Sequence, residues 1–110
     1  LQALTIQAKS IENNQEINPD KATLELTATE QITNKKPIRT KNGSVQLKGK
    51  GLDNQSEIAS GKQLVVDARQ LINQEGAALI SHEELQLKDM DQVDNSGKIY
   101  AKSLVQSGVP

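Results

Sequence analysis

The amino-acid sequence predicts an all-β solenoid, a parallel β-helix of about five coils, and three observations carry that prediction. An aliphatic pair in L-x-L spacing recurs along the chain, with its first member at Leu4, Leu24, Val45, Leu64, Leu85 and Leu104. The steps between copies are 20, 21, 19, 21 and 19 residues, a period that belongs to a stacked array rather than a single irregular core. In phase with these pairs, an aliphatic residue stands two places before an asparagine: Ile11 and Asn13, Ile32 and Asn34, Leu52 and Asn54, Leu71 and Asn73, Val93 and Asn95. Composition is the third observation. The 110 residues contain no Cys, Trp or Phe and a single Tyr, so Leu, Ile, Val and Ala must fill the interior, and similar aliphatic side chains stack well on copies of themselves.

Taken in order, Leu4, Ile6 and Ala8 alternate with Thr5, Gln7 and Lys9, the period-2 pattern of a half-buried strand. Ile17 follows four residues after Asn13, and Pro19 with Asp20 marks a turn into the second copy. There Leu24, Leu26 and Ala28 alternate with Thr23, Glu25, Thr27 and Thr29, a polar corner spans Lys35 to Pro37, and Ile38 takes the place of Ile17. Asn42-Gly43 makes the next corner, after which Val45, Leu47, Gly49 and Ile58 repeat the pattern. The fourth copy brings Leu64, Val66 and Ala68; Ala77 and Ala78 lengthen its loop, so Leu79 stands where an isoleucine is expected. In the fifth copy Asp89 breaks the column of small residues, and Met90 is expected to turn inward instead. Ile99 and Leu104 continue the pattern, whereas Gln106 loses the second aliphatic place.

Each strand is expected to be four to six residues long. Hairpins would need turn signals directly after each strand, but equivalent strands lie about 20 residues apart with polar corners between them, so they pair in parallel, coil above coil. A single coil buries too few side chains to offset the ordering of its own backbone, so stability must accumulate along the array. Two competing readings fail on phase. Lys62 to Gln74 has reasonable helix formers, but its apolar residues are in step with four other copies. A leucine-rich repeat places its asparagine about five residues after the first Leu, whereas here the interval is nine or ten.

Charge is balanced, with 13 basic against 14 acidic residues, which argues against nucleic acid or an anionic membrane as partner. No apolar run approaches the roughly 18 residues of a membrane span, and no basic-then-apolar leader opens the chain. Residues 1–110 read as one continuous array. It begins on Leu1 inside a repeat and stops at Pro110 just after a new copy has started, as expected of a segment of a longer protein.

The stretch GLDNQSEIASGKQLVVDARQLINQEGAALISHEELQL, followed by DQVDNSGKIYAKSLV, resembles the haemagglutinin repeat of filamentous haemagglutinin-like exoproteins. The pattern is a Leu-x-Asn corner, a small-residue turn, an Ile and an L-x-L strand; it is specific from about Gly51 to Val105 and in phase but weaker from Leu4 to Lys50. That resemblance implies a right-handed parallel β-helix of roughly 20 residues per coil. It also implies a filament at a Gram-negative cell surface, exported through an outer-membrane two-partner secretion transporter, in adhesins or in effectors of contact-dependent growth inhibition. No enzymatic activity, metal or cofactor is expected.

Asn13, Asn34, Asn54, Asn73 and Asn95 form the most regular polar column. At a β-helix corner such residues tolerate left-handed backbone, bond neighbouring backbone groups and stack into a ladder, so a structural role is expected of them. Lys35, Lys36, Arg39 and Lys41, with Lys48 and Lys50 on the next strand, are the basic concentration. The resemblance suggests a sulfated glycan or a target-cell receptor for them; the plainer reading is a solvated face that discourages edge pairing. Asp89, Asp91 and Asp94 would be the acidic cluster of the alternative class, a fragment of a β-helical carbohydrate-active enzyme, but no Arg or Lys is placed by phase to face them. His82 lacks a second metal ligand and reads as a loop residue. The terminal coils, Leu4 to Ala8 and Leu104 to Val109, are expected to leave unpaired backbone, which favours end-to-end self-association.

Overall fold

Residues 3–19 and 22–108 are described by the computed structural model, and among them there are thirteen strands and no helix. The first coil contributes β1 (Ala3–Ala8) and β2 (Ile11–Asn13). The second contributes β3 (Thr23–Ala28), β4 (Gln31–Asn34) and β5 (Ile38–Thr40), and the third β6 (Val45–Lys48), β7 (Gly51–Asn54) and β8 (Glu57–Ser60). β9 (Leu64–Asp67), β10 (Gln70–Asn73) and the front half of β11 (Ala78–Met90) make the fourth. The back half of β11, β12 (Gln92–Asn95) and the front half of β13 (Lys98–Gly108) make the fifth. The back half of β13 starts a further turn. Asp20, of the expected first turn, and Val109, of the last strand, lie outside the described residues.

The second to fifth coils thus lay three strands on three faces, the first lays two strands and a single bridge at Ile17, and among the described residues every pairing between coils is parallel. The register follows the sequence phase residue for residue. Leu4, Leu24, Val45, Leu64, Leu85 and Leu104 form one continuous column, and Ile6, Leu26, Leu47, Val66, Leu87 and Gln106 form the next. On the second face Ile11, Ile32, Leu52, Leu71 and Val93 are stacked; on the third, Ile17, Ile38, Ile58, Leu79 and Ile99. These columns meet in one aliphatic core. Its middle members Leu24, Val45, Leu64 and Leu85 are fully buried, while Leu4 and Leu104 at the two ends keep 37% and 55% exposure because they have a neighbour on one side only.

As expected from phase, Lys62 to Gln74 is not helical: it carries β9 and β10, since burying Leu64, Val66 and Leu71 in the columns outweighs local propensity. Two details depart from the sequence expectation. The strands are not all short, because β11 and β13 stay extended through the corner between the third and first faces, reaching 13 and 11 residues. A register shift between Ser81 and Glu84 accommodates the bend, and across it the Glu83 N–H still reaches Lys62 O at 3.1 Å. Finally, the Leu85-to-Val93 interval is one residue longer than Leu64-to-Leu71, and the surplus is taken up at Asp89, whose φ of 61° is left-handed. Met90 turns inward as expected and is fully buried.

Candidate functional site

The asparagines end the strands of the second face with extended backbone; the described non-glycine residue with left-handed φ is Asp89, so the left-handed tolerance expected of the Asn column is not used. Their side chains point inward, where Asn34, Asn54 and Asn73 are fully buried. Nδ2 of Asn13 donates to Oδ1 of Asn34, Asn34 to Asn54, Asn54 to Asn73 and Asn73 to Asn95, each at 2.9 Å. The second amide hydrogen goes to backbone: Asn13 to Lys36 O at 3.3 Å, Asn54 to Ala78 O and Asn73 to Lys98 O, both at 3.0 Å. These carbonyls fix which end of the Asn13, Asn54 and Asn73 amides is nitrogen, since an oxygen there would face an oxygen.

At the corner after the third face a second polar column appears that sequence reasoning did not single out. Thr40, Ser60 and Ser81 stack in register and are buried. Ser60 Oγ lies 2.7 Å from Gln63 O in its own corner and 3.1 Å from Gly43 O in the coil below; Ser81 Oγ lies 2.8 Å from Glu84 O and 2.7 Å from Lys62 O. A hydroxyl has one hydrogen, so each serine shares it between a local carbonyl and one from the preceding coil. Thr40 Oγ1 is buried with no partner. The signal in the sequence was a hydroxyl residue two places after Ile38, Ile58 and Leu79, but a Ser or Thr at a polar corner looks the same whether it points in or out.

The six basic residues follow the chain most of the way round one coil. Lys35 and Lys36 lie between β4 and β5, Arg39 and Lys41 in and just after β5, Lys48 at the end of β6, and Lys50 before β7. A coil spreads consecutive residues over its circumference, so the group does not converge on one face. Two of its members are already engaged. Arg39 bridges Glu16 at 2.7 Å and Glu57 at 2.5 Å, with the Glu57 hydrogen bond holding its guanidinium above the ordinary range; Lys35 meets Glu12 at 2.8 Å and pulls that carboxyl below its ordinary range.

The acidic residues also separate. Asp94 is exposed on β12, whereas Asp91 pairs with Arg69 at 3.0 Å, so a cation does face the cluster, contrary to the expectation from phase. Asp89 lies beside Asp67 on the neighbouring coil. Burial raises the Asp67 carboxyl above the ordinary range, and hydrogen bonding to and repulsion from Asp89 add to it, against Lys48 and Lys88. Among the described residues no three His, Cys, Asp or Glu side chains are arranged to hold a metal ion. His82 is exposed on β11, not in a loop.

With the geometry of the repeat in view, comparison with known families is decisive: the haemagglutinin repeat matches residues 2–36 and 39–103. The chain belongs to the haemagglutinin repeat family. In this haemagglutinin repeat array the two matched stretches are separated by Pro37, the last residue of a polar corner, and Ile38, the first residue of β5, so the break falls where the chain enters the third face and leaves the columns of the first face intact. Haemagglutinin repeats are structural, adhesin-type repeats of secreted or cell-surface proteins. No significant match was found among curated proteins or among solved structures.

Proposed function

We propose that this chain is a rod segment of a long exoprotein that a Gram-negative cell exports by two-partner secretion, and that it extends the molecule from the cell surface for adhesion or toxin delivery. The observation that supports it most is continuity: the aliphatic columns and the amide column run through all five coils of a haemagglutinin repeat without interruption. Such a core makes each coil rest on its neighbours along the whole segment, as an extended rod requires. The asparagine column acts in this reading as a coil-to-coil fastener. An outer-membrane transporter is the partner of the parent protein, a target-cell receptor or glycan is the partner of the rod, and nucleic acid is not a partner. Exposed Leu4, Ile6, Leu104 and Val105 favour end-to-end association of the isolated segment.

Export tests the proposal. Spliced behind the secretion domain of a two-partner system and expressed with its transporter, the segment should reach the cell surface and lengthen the exposed protein; retention of a folded segment inside the cell would overturn it. A polysaccharide-depolymerisation assay addresses the enzyme alternative. Reducing ends released by the wild type but not by Asp91→Ala would establish that alternative in place of the passive rod.

A further inference from the structure

The corner between β5 and β6 is one residue longer than the corners above it. Val45 follows Ile38 by seven residues, whereas Leu64 follows Ile58, and Leu85 follows Leu79, by six. Thr40 is in register with Ser60 and Val45 with Leu64, so the surplus is confined to the corner itself, where Lys41 and Asn42 are exposed and Gly43 is buried. Gly43 O receives the Lys62 N–H at 3.0 Å and lies 3.1 Å from Ser60 Oγ, which makes it the tie between the second and third coils here. Asn42-Gly43 is also the one place in the chain where glycine follows asparagine.

We infer that Asn42 is a site of spontaneous deamidation whose product loosens the second coil from the third. With no side chain on the glycine, its nitrogen is open to the Asn42 side chain. Gly43 N attacks Cγ of Asn42: a C–N bond forms, the Cγ–Nδ2 bond breaks, and Nδ2 leaves as ammonia with the proton that Gly43 N gives up. Water then opens the cyclic imide at either carbonyl, giving aspartate or isoaspartate. In isoaspartate the main chain runs through the side-chain methylene, so the corner gains a backbone carbon and Gly43 O is carried off its partners. The ladder asparagines are barred from this chemistry. Nδ2 of Asn34, Asn54 and Asn73 is held by the next coil at 2.9 Å. The N–H groups that would attack are bonded to the coil below: Lys35 to Asn13 O at 3.0 Å, Gln55 to Asn34 O at 2.8 Å, Gln74 to Asn54 O at 2.9 Å and Ser96 to Asn73 O at 2.8 Å. Among the described residues the Gly43 N–H donates to no backbone carbonyl. A ladder asparagine therefore reacts only when a coil opens, whereas Asn42 needs movement of an exposed corner alone.

The folded full chain, kept in mildly alkaline heavy-oxygen water, tests this by peptide mass spectrometry with electron-transfer fragmentation. Asn42 should take up one heavy oxygen and give mainly isoaspartate, at least about tenfold faster than any ladder asparagine. Gly43→Ala should slow the conversion and Asn42→Gln should abolish it, with circular dichroism checking that each variant is folded. The isoaspartyl form, separated by chromatography, should melt at a lower temperature than freshly purified Asn42→Asp, which carries the same charge on an unlengthened backbone. Any of four results overturns the inference: Asn42 intact in the folded chain, ladder asparagines converting as fast, conversion undiminished in folded Gly43→Ala, or equal melting temperatures of the isoaspartyl form and Asn42→Asp.

Discussion

Two corners of the same coil handle buried polarity differently. At the asparagine corner the side chain is both donor and acceptor, so each amide hands a hydrogen bond to its copy in the next coil and still has a hydrogen for a backbone carbonyl. At the serine corner the hydroxyl has one hydrogen to give and ends on backbone; neighbouring side chains in that column never bond each other. The amide column therefore couples coils directly, and the hydroxyl column secures each corner separately. That difference accounts for composition: the first column is asparagine in all five copies, while the second passes from Thr40 through Ser60 and Ser81 to Ala101.

The largest effect should come from cutting the amide column in its middle. Asn54→Leu leaves the Asn34 amide without its acceptor and strands Asn73 Oδ1 and Ala78 O, three buried groups at about 1–3 kcal/mol each before relaxation. A loss of about 3–5 kcal/mol in urea melts is expected; a loss below about 0.5 kcal/mol would reduce the column to ornament. Coupling sharpens the contrast. In double-mutant cycles Asn34→Leu with Asn54→Leu should be strongly non-additive, whereas Ser60→Ala with Ser81→Ala should add to within about 0.5 kcal/mol.

Ser60→Ala alone should cost about 1 kcal/mol, because Gly43 O keeps the Lys62 N–H and Gln63 O keeps the Val45 N–H. Thr40→Val should act in the opposite sense and raise the melting temperature, since it deletes a buried hydroxyl that has no partner; a lowered melting temperature would mean that the hydroxyl is satisfied in solution.

The smallest effect belongs to Asp67, at the end of a first-face strand. Its carboxyl is raised in the folded chain, so folding favours the protonated form. The resulting stability is fully present below the ordinary aspartate value of about 3.9 and is lost as pH rises through the folded value. Asp67→Asn should flatten this slope and raise the melting temperature at pH 7, most visibly when melts at pH 4 and pH 7 are compared.

The inward columns were legible because a solenoid converts sequence interval directly into spatial neighbour: residues about 20 apart stack, so phase alone placed Leu4 to Leu104 and Asn13 to Asn95. Corners obey no such rule. Whether Ser60 points in, whether Asp89 bulges and whether Arg69 reaches Asp91 depend on local backbone angles that the period does not constrain. The six basic residues illustrate the opposite limit, since closeness along the chain means separation around the rod.

The amide column also gives the rod a grain. Every amide nitrogen in it points toward the C-terminal coil, so Asn13 turns a carbonyl oxygen to the N-terminal end of the rod and Asn95 turns an NH2 to the C-terminal end. Two rods meeting C-terminal end to C-terminal end would set hydrogen against hydrogen, and two meeting N-terminal end to N-terminal end would set oxygen against oxygen. A fibre assembled from such pieces can lengthen without limit in one sense, yet it has no way to reverse direction partway along.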